Sequence, residues 1–320
     1  MMHLESRRME RGQAHLRNYG DQVSNMPAGP LPLVSVIIPY YSQGAYIAET
    51  IASVRRQTYP NIELIVVDDE SSEDHKEALL KIRDLVIHRI PNSGPPAARN
   101  YGFQQSAGEF LVFLDADDFL PDQAIENNLR ALLEHPDASL AFGAVQVIDS
   151  RGATLIPDRV CFPRRNYFLM LLETNPIYSP GAAMVRRAAF ERVGRFKDLR
   201  RFQTDDYELY LQLAKEGSLY RHDAPVLRYR RHDTNMSSDR VQMLAATLDS
   251  LNRIASEYRL GLLERLQLWH GRRRWKYEFG TDRGTSPAVK ALYFRVATSW
   301  NIDFSYLLRT LLRRYASKCG

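Results

Sequence analysis

With 320 residues, 44% of them hydrophobic and 25% charged, the chain has an ordinary globular composition and length for one large domain with an appendage or two modest ones, which excludes fibrous and disordered classes. Its two cysteines, Cys161 and Cys319, lie far apart without ligand-type spacing, so neither a disulfide framework nor a cysteine-based zinc site is indicated and a reducing compartment fits. The net charge of +5 is uneven: Met236–Gly320 holds 15 Lys and Arg against 7 Asp and Glu, a surplus of +8, which leaves about −3 for the first 235 residues.

Residues 1–31 mix charge, Gly and Pro without periodicity and read as a poorly ordered arm; the opening MMHLESRRMERGQ is too polar for a secretory signal. Leu33–Ile38 is a buried-strand pattern ended by Pro39. Ile47, Ile51 and Val54 then share one face of a helix over Ala45–Gln57. A second strand, Ile62–Val67, runs straight into Asp68 and Asp69. A helix (Glu73–Arg83), a strand (Leu85–Ile90), a helix (Pro95–Ala107) opened by Gly94-Pro95-Pro96, and a strand (Phe110–Leu114) follow. This alternation predicts an α/β fold with a Rossmann-like, mostly parallel sheet, whose ligands sit outside the carboxyl ends of the strands.

Three strand ends are therefore expected to meet: Pro39, Tyr40 and Tyr41; Asp68 and Asp69; and Asp115, Asp117 and Asp118. Crowded carboxylates are electrostatically unfavourable unless a cation neutralises them, so the last cluster is either a Mg²⁺ or Mn²⁺ site or an acidic turn capping the helix that begins near Pro121. Stacking from an aromatic, acceptors for base and ribose, and a metal for a diphosphate together describe a nucleotide pocket. Neither GxGxxG nor GxxxxGK[ST] follows any strand, which argues against dinucleotide and P-loop enzymes. Arg99, on the helix after Gly94, meets either a phosphate or one of the nearby acids.

Beyond the acids come a helix (Pro121–Glu134) and a strand (Ser139–Ile148), and then regular alternation is lost. Tyr178–Arg187 reads as a loop entering a strand, Ala188–Val193 as a short helix, and Asp205 and Asp206 head a helix running to Ala214. There the macrodipole favours acids and helps keep Asp206 ionised, whether as a cap or as a base. Val226–Arg231 is strand-like and ends at His232, a metal ligand or a turn residue. The tail reads as three helices, Val241–Tyr258, Leu262–Lys276 and Pro287–Ser317, the last carrying an amphipathic run from Trp300 to Leu312. It either packs on the domain or lies on anionic membrane; nucleic acid is not expected. No run approaches the ~20 apolar residues of a span, and a cytoplasmic location, with peripheral contact at the inner face of the membrane, is the expectation.

Taken together, VSVIIPYYSQGAYIAETIASVRRQTYPNIELIVVDDES (Val34–Ser71), NSGPPAARNYGFQQSAGEFLVFLDADDFL (Asn92–Leu120), PGAAMVRRAAFERVGRF (Pro180–Phe196), TDDYELYLQLA (Thr204–Ala214) and YRRHDTNMS (Tyr229–Ser237) closely resemble the family 2 glycosyltransferases, an inverting group with the A-type glycosyltransferase fold. The resemblance implies a catalytic domain over residues 32–237, with a nucleotide-sugar half (32–120) and an acceptor half (121–237), followed by a basic helical extension (238–320). It implies that Pro39, Tyr41 and Asp69 surround the nucleobase, that Arg99 lies close to the donor, and that Asp115 and Asp117 touch ribose and metal (Mn²⁺ or Mg²⁺). Asp206 matches the base that activates the acceptor, and His232 a position that reaches metal or diphosphate in some relatives. The implied activity is metal-dependent, inverting transfer of a single sugar from a nucleotide-sugar donor, a UDP-sugar, to a hydroxyl of a saccharide or lipid-linked acceptor in polysaccharide, lipopolysaccharide or glycoconjugate synthesis. The alternatives are a non-catalytic, membrane-associated nucleotide-sugar-binding module and a nucleotidyltransferase, which would want a Gly-rich basic stretch after its first strand. Glu70 departs from the family's usual Gly and adds charge beside the base pocket. The processive synthases of the family carry a QxxRW element; Arg274-Trp275 lacks the Gln and reads as a chance match.

Overall fold

Every residue of Val34–Tyr40 is buried, as an unbroken apolar run demands of a strand covered on both faces. This strand, β1, is central to the computed structural model, which describes residues 30–157, 166–197, 204–233, 235, 236 and 239–280. β2 (Ile62–Asp68) and β4 (Phe110–Phe113) flank β1 in parallel, and β3 (Val86–Arg89) extends the sheet beyond β2. The crossovers carry α1 (Ile47–Arg55), α2 (Glu73–Leu80) and α3 (Pro95–Gln105). Because chain direction across the sheet reverses between β1 and β4, a crevice opens at their carboxyl ends.

After α4 (Ala124–Glu134) come β5 (Ala138–Ile148), β6 (Thr154–Ile156), α5 (Tyr167–Leu171) and a 3₁₀ turn (Pro180–Ala182). β7 (Ala183–Arg186), α6 (Arg187–Arg192), α7 (Asp205–Glu216) and β8 (Ser218–Arg230) follow, and then α8 (Arg240–Glu257) and α9 (Leu262–Gly280). The eight-stranded sheet runs β3-β2-β1-β4-β7-β5-β6, with β8 beside β5. β7 is antiparallel to both β4 and β5, whereas β8 is parallel to β5. The fold is thus mixed α/β about a mostly parallel core, as the alternation predicts.

The structure departs from the sequence pattern in several places. β8 begins at Ser218, eight residues before the apolar run, because its polar first half is stitched onto β5 across register shifts, with the Arg221 side chain buried. β6 and α5 lie in the region the pattern left irregular, and α9 continues past Lys276 to Gly280. The poorly ordered arm, apart from its last residues, and the predicted helix Pro287–Ser317 with its Trp300–Leu312 run lie outside the described residues.

The described part of the tail packs on the domain. Leu251, Ile254, Leu260 and Leu268 join the main core, where full burial of such a side chain contributes roughly 1.5–3 kcal/mol relative to exposure. Arg253 Nη2 pairs with the buried carboxylate of Glu208 on α7 at 2.5 Å, and Lys215 with Glu264 at 2.7 Å. Gly271 lets α9 press on the loop after α5: a Cβ there would sit 1.9 Å from the carbonyl oxygen of Leu172.

Candidate active site

Pro39, Tyr41, Asp69, Arg99, Asp115, Asp117, Asp206 and His232, eight residues spread over 194 positions, all line one cleft of ≈ 590 Å³, a volume within the usual range of ligand sites. β1 delivers buried Pro39 and half-exposed Tyr41; Ser42 then turns the chain away with a φ of 63°. β2 delivers Asp69, and β4, through Leu114, delivers the acids from Asp115 onward.

Asp69 fixes the start of α3. Its Oδ1 accepts from the Ser93 amide at 2.7 Å and its Oδ2 from the Gly94 amide at 2.8 Å. Gly94 has a φ of 85°, a conformation that suits glycine and aims both amides at the carboxylate. The neighbouring Asp68 is turned away to Arg89, 2.6 Å distant. Glu70 binds the Asn92 amide at 3.0 Å, so that loop shares its charge.

The helix so positioned carries Arg99 into the cleft floor, and there the open choice resolves toward ion pairing, made twice. Nη1 lies 2.6 Å from Asp205 Oδ2 and Nη2 lies 2.6 Å from Asp115 Oδ1. One buried guanidinium thereby ties the end of β4 to the start of α7. Its Nε is buried and has no partner among the described residues.

Asp118 and Asp117 divide their tasks. Asp118 is buried and structural: its Oδ1 accepts from the Arg230 amide at 2.8 Å and its Oδ2 from Ser179 Oγ at 3.1 Å. Burial, with Asp117 and Asp115 close by, pushes its carboxyl well above the usual range. Asp117 faces the cleft, its Oδ2 2.9 Å from His232 Nε2, and the His232 ring stacks on Tyr46 with centroids 5.3 Å apart. Arg230 locks this corner, with Nε donating to the Asp117 carbonyl at 3.0 Å and Nη2 pairing with Glu49 at 2.5 Å. Burial and the Asp115 charge raise the Asp117 carboxyl as well. Among the described residues no three His, Cys, Asp or Glu side chains are placed to close around an ion. What is present, a carboxylate beside an imidazole and another acid, suits a Mn²⁺ or Mg²⁺ ion that takes most of its ligands from water and a substrate diphosphate.

Asp206 is not a cap. Thr204 occupies that position, and Asp205 and Asp206 are the first two residues of α7. Asp205 is consumed by Arg99, whereas Asp206 lies partly buried in the cleft wall, its Oδ1 accepting from the Tyr207 amide at 2.7 Å. The dipole argument for an ionised Asp206 is outweighed: burial first, and the adjacent Asp205 charge second, push its carboxyl up to about 7, against the pull of Arg99. A carboxylate so poised both accepts a proton readily and is ionised near neutrality.

The sequence pattern leaves acceptor contacts to the irregular region 150–200 and the tail without assigning residues there. Met243 and Thr247 of α8 and Trp275 and Phe279 of α9 line the same cleft. Arg274-Trp275 was visible as a motif fragment, but only the docking of α9 brings Trp275 against Tyr207, with centroids 6.0 Å apart.

Comparison with known proteins agrees with this geometry. Among solved structures the fold is similar to that of the S. aureus protein TarS, residues 1–349 in complex with UDP-GlcNAc, with a TM-score of 0.60 at 19% identity over 77% of this chain and 73% of that one. It is also similar to that of a mannosyltransferase from Pyrobaculum calidifontis in complex with GDP-Man and Mn²⁺, with a TM-score of 0.53 at 18% identity over 88% and 86%. At such identities the likeness is one of fold. By sequence, an uncharacterized glycosyltransferase of Haemophilus influenzae is 30% identical over 61% of this chain and 78% of its own length. The Escherichia coli UDP-Glc:alpha-D-GlcNAc-diphosphoundecaprenol beta-1,3-glucosyltransferase WfgD is 27% identical over 68% and 85%. Residues 35–194, half of the chain, match the family described as glycosyl transferase family 2, and with the span of the Haemophilus relative this makes the chain a member of that family and a glycosyltransferase.

Proposed function

We propose that the chain moves one sugar from a UDP-sugar to a hydroxyl of a saccharide or lipid-linked acceptor, with inversion at the anomeric carbon and dependence on a divalent metal. The observation that carries this reading is the meeting, in one cleft, of Asp206, whose carboxyl burial and Asp205 push up to about 7, with the Asp117–His232 pair. Asp206 takes the proton from the acceptor hydroxyl as its oxygen bonds to the anomeric carbon, and the bond from that carbon to the diphosphate breaks with its electron pair leaving on the diphosphate. Tyr41, Pro39 and Asp69 hold the base; Arg99 positions Asp115 and Asp205. Asp117 and His232 would hold the metal, which supplies charge stabilisation to the departing diphosphate. The choice of UDP is supported by the E. coli relative named for UDP-Glc and by the TarS complex with UDP-GlcNAc; the archaeal neighbour's GDP-Man makes GDP the control.

Thermal shift with a panel of nucleotide sugars tests this directly. A UDP-sugar at ~100-fold excess over its Kd is expected to stabilise the fold by about 2.7 kcal/mol in Mn²⁺ and to lose most of that shift in EDTA. Asp117→Ala is expected to stay folded and to lose both the Mn²⁺-dependent shift and donor turnover. Full activity in chelator sinks the metal reading, and a panel without any shift sinks the donor reading.

Peripheral membrane contact belongs to the same proposal. No helix among the described residues is long and apolar enough to cross a membrane. α9 instead exposes Leu262 and Trp269, with the Arg273 guanidinium 4.9 Å from the Trp269 ring centroid, a combination suited to an interface where each basic residue contributes about 1 kcal/mol on anionic lipid. The protein is expected to float with anionic vesicles at low salt and to be released at high salt. Recovery in the soluble fraction under both conditions rejects the contact.

A further inference from the structure

His232 follows the last residue of β8 by two positions, and its main chain is pinned by Asn235, whose Oδ1 accepts from the His232 amide at 2.5 Å and whose Nδ2 donates to the Arg230 carbonyl at 3.1 Å. Those bonds leave the direction of the imidazole to its two side-chain torsions. Asp117 Oδ2, 2.9 Å from Nε2, restrains the ring, and so does Tyr46, whose own ring lies 22° from parallel with centroids 5.3 Å apart.

The two restraints differ in what they survive. A nitrogen that ligates a metal offers its lone pair and carries no proton, so the hydrogen bond from Nε2 to Asp117 and ligation through Nε2 exclude one another. Stacking on Tyr46 uses the face of the imidazole and persists in both states.

Tyr46 is itself fixed to the same corner. It directly precedes α1, and its carbonyl accepts from the Thr50 amide at 3.1 Å. That first turn is tied to both of the segments that deliver the pair: Thr50 Oγ1 donates at 2.9 Å to the carbonyl of Ala116, which separates Asp115 from Asp117, and Glu49 pairs at 2.5 Å with Arg230. The Arg230 guanidinium also lies over the Tyr46 ring, 4.6 Å from its centroid, where the electron-rich face attracts the cation. Of Tyr46, Glu49, Thr50 and Arg230, none belongs to the cleft lining, so this turn reaches a bound ion or substrate only through His232 and Asp117.

We propose that Tyr46 is a positioning residue for the metal site: its ring is the shelf that keeps the His232 imidazole turned toward Asp117, so that the two side chains can share one divalent ion. The proposal rests on the metal-dependent reading and deepens it, assigning a role to an aromatic that touches neither donor nor acceptor. Both contacts of Tyr46 at this corner are made by its ring, so the hydroxyl is dispensable for the role.

Mn²⁺ binding to the full chain, followed through the loss of the free ion's EPR signal with UDP present, tests it without any turnover. Groups that orient a ligating histidine typically account for about 10–100-fold in metal affinity, so Tyr46→Leu is expected to weaken Mn²⁺ at least tenfold, and Tyr46→Phe, which keeps the ring, to stay within about twofold of the wild type. His232→Ala is expected to weaken Mn²⁺ as well, and adding Tyr46→Leu to it to cost less than about a further twofold, since a residue that acts through the imidazole then has nothing left to hold. Melting in EDTA shows that each variant is folded. Should Tyr46→Leu fail to fold, Tyr46→Met, unbranched and able to fill an irregular gap, makes the same comparison. A loss of less than tenfold in Tyr46→Leu, a larger than twofold loss in Tyr46→Phe, an unchanged affinity in His232→Ala, or a further loss beyond twofold in the double variant overturns the shelf. Failure of the underlying reading shows separately: wild-type chain that binds no Mn²⁺ with UDP present removes the metal and this proposal with it, whereas failure of the shelf alone leaves wild-type Mn²⁺ binding intact.

Discussion

Asp206→Asn is expected to lower transfer at least a hundredfold while the variant melts at the wild-type temperature or slightly above it. The rate loss follows from removing the proton acceptor, a group that typically contributes 10²–10⁴-fold. The stability expectation follows from the raised pKa. Held near 7 by burial and by Asp205, this carboxyl is ionised above that pH only against the fold's preference, so the folded state binds the proton more tightly than the unfolded chain, and stability declines as pH rises from about 4 through 7. Asn carries no such charge, so the variant is expected to match the wild type below about pH 4 and to gain on it progressively up to pH 8. The same shift fixes the rate profile. Transfer by the wild type is expected to rise about tenfold per pH unit below 7 and to level off above it, with the acidic limb belonging jointly to the coupled Asp205–Asp206 pair. In Asp206→Asn the residual rate is expected to lose that limb. A variant keeping more than about a third of wild-type transfer would remove Asp206 as the base.

Much of this site was legible because the first half of the chain is written in buried parallel strands. Runs such as Val34–Tyr40 and Phe110–Leu114 announce themselves by apolarity and end on the residues they deliver. From that, the meeting of Tyr41, Asp69 and Asp115 follows by topology alone. What escaped the sequence depends on long-range docking. The first half of β8, with Arg221, His222, Asp223 and Pro225, precedes the strand-like run Val226–Arg231, and it is a strand because β5 offers it an edge. Trp275 reaches Tyr207 across 68 residues only because Gly271 permits the approach of α9 to Leu172. The charge state of Asp206 was misjudged for a related reason. A helix dipole is a local property, whereas the dominant influences are burial and a neighbouring acid whose own counter-ion sits 106 positions away.

That counter-ion is where the largest stability effect is expected. Arg99→Ala removes the one guanidinium shared by Asp205 and Asp115 and leaves a buried carboxylate unpaired, for which losses of about 3–5 kcal/mol are typical. In a domain of this size that corresponds to a fall of roughly 6–20 °C in Tm. Lys at this position has one compact charge and no fork, so Arg99→Lys is expected to keep one pair and lose the other, falling between wild type and Ala. The pH dependence has a definite sign. Burial already raises the Asp205 carboxyl and Arg99 restrains it, so its removal raises that carboxyl further, and the deficit relative to wild type is expected to widen as pH climbs from 4 to 8. The two partners are unequal. The Asp205 side chain is 9% exposed and that of Asp115 29%, so water relieves Asp115 while Asp205 carries most of the penalty. Adding Asp205→Asn to Arg99→Met, which restores volume without charge, is therefore expected to recover more than half of the lost stability, because deleting both members of a buried pair is far milder than deleting one. Denaturant unfolding of the two singles and the double at pH 5 and pH 8 measures this coupling. Additive losses at both pH values would mean that Arg99 acts by packing alone, and that the bridge between β4 and α7 contributes nothing to the fold.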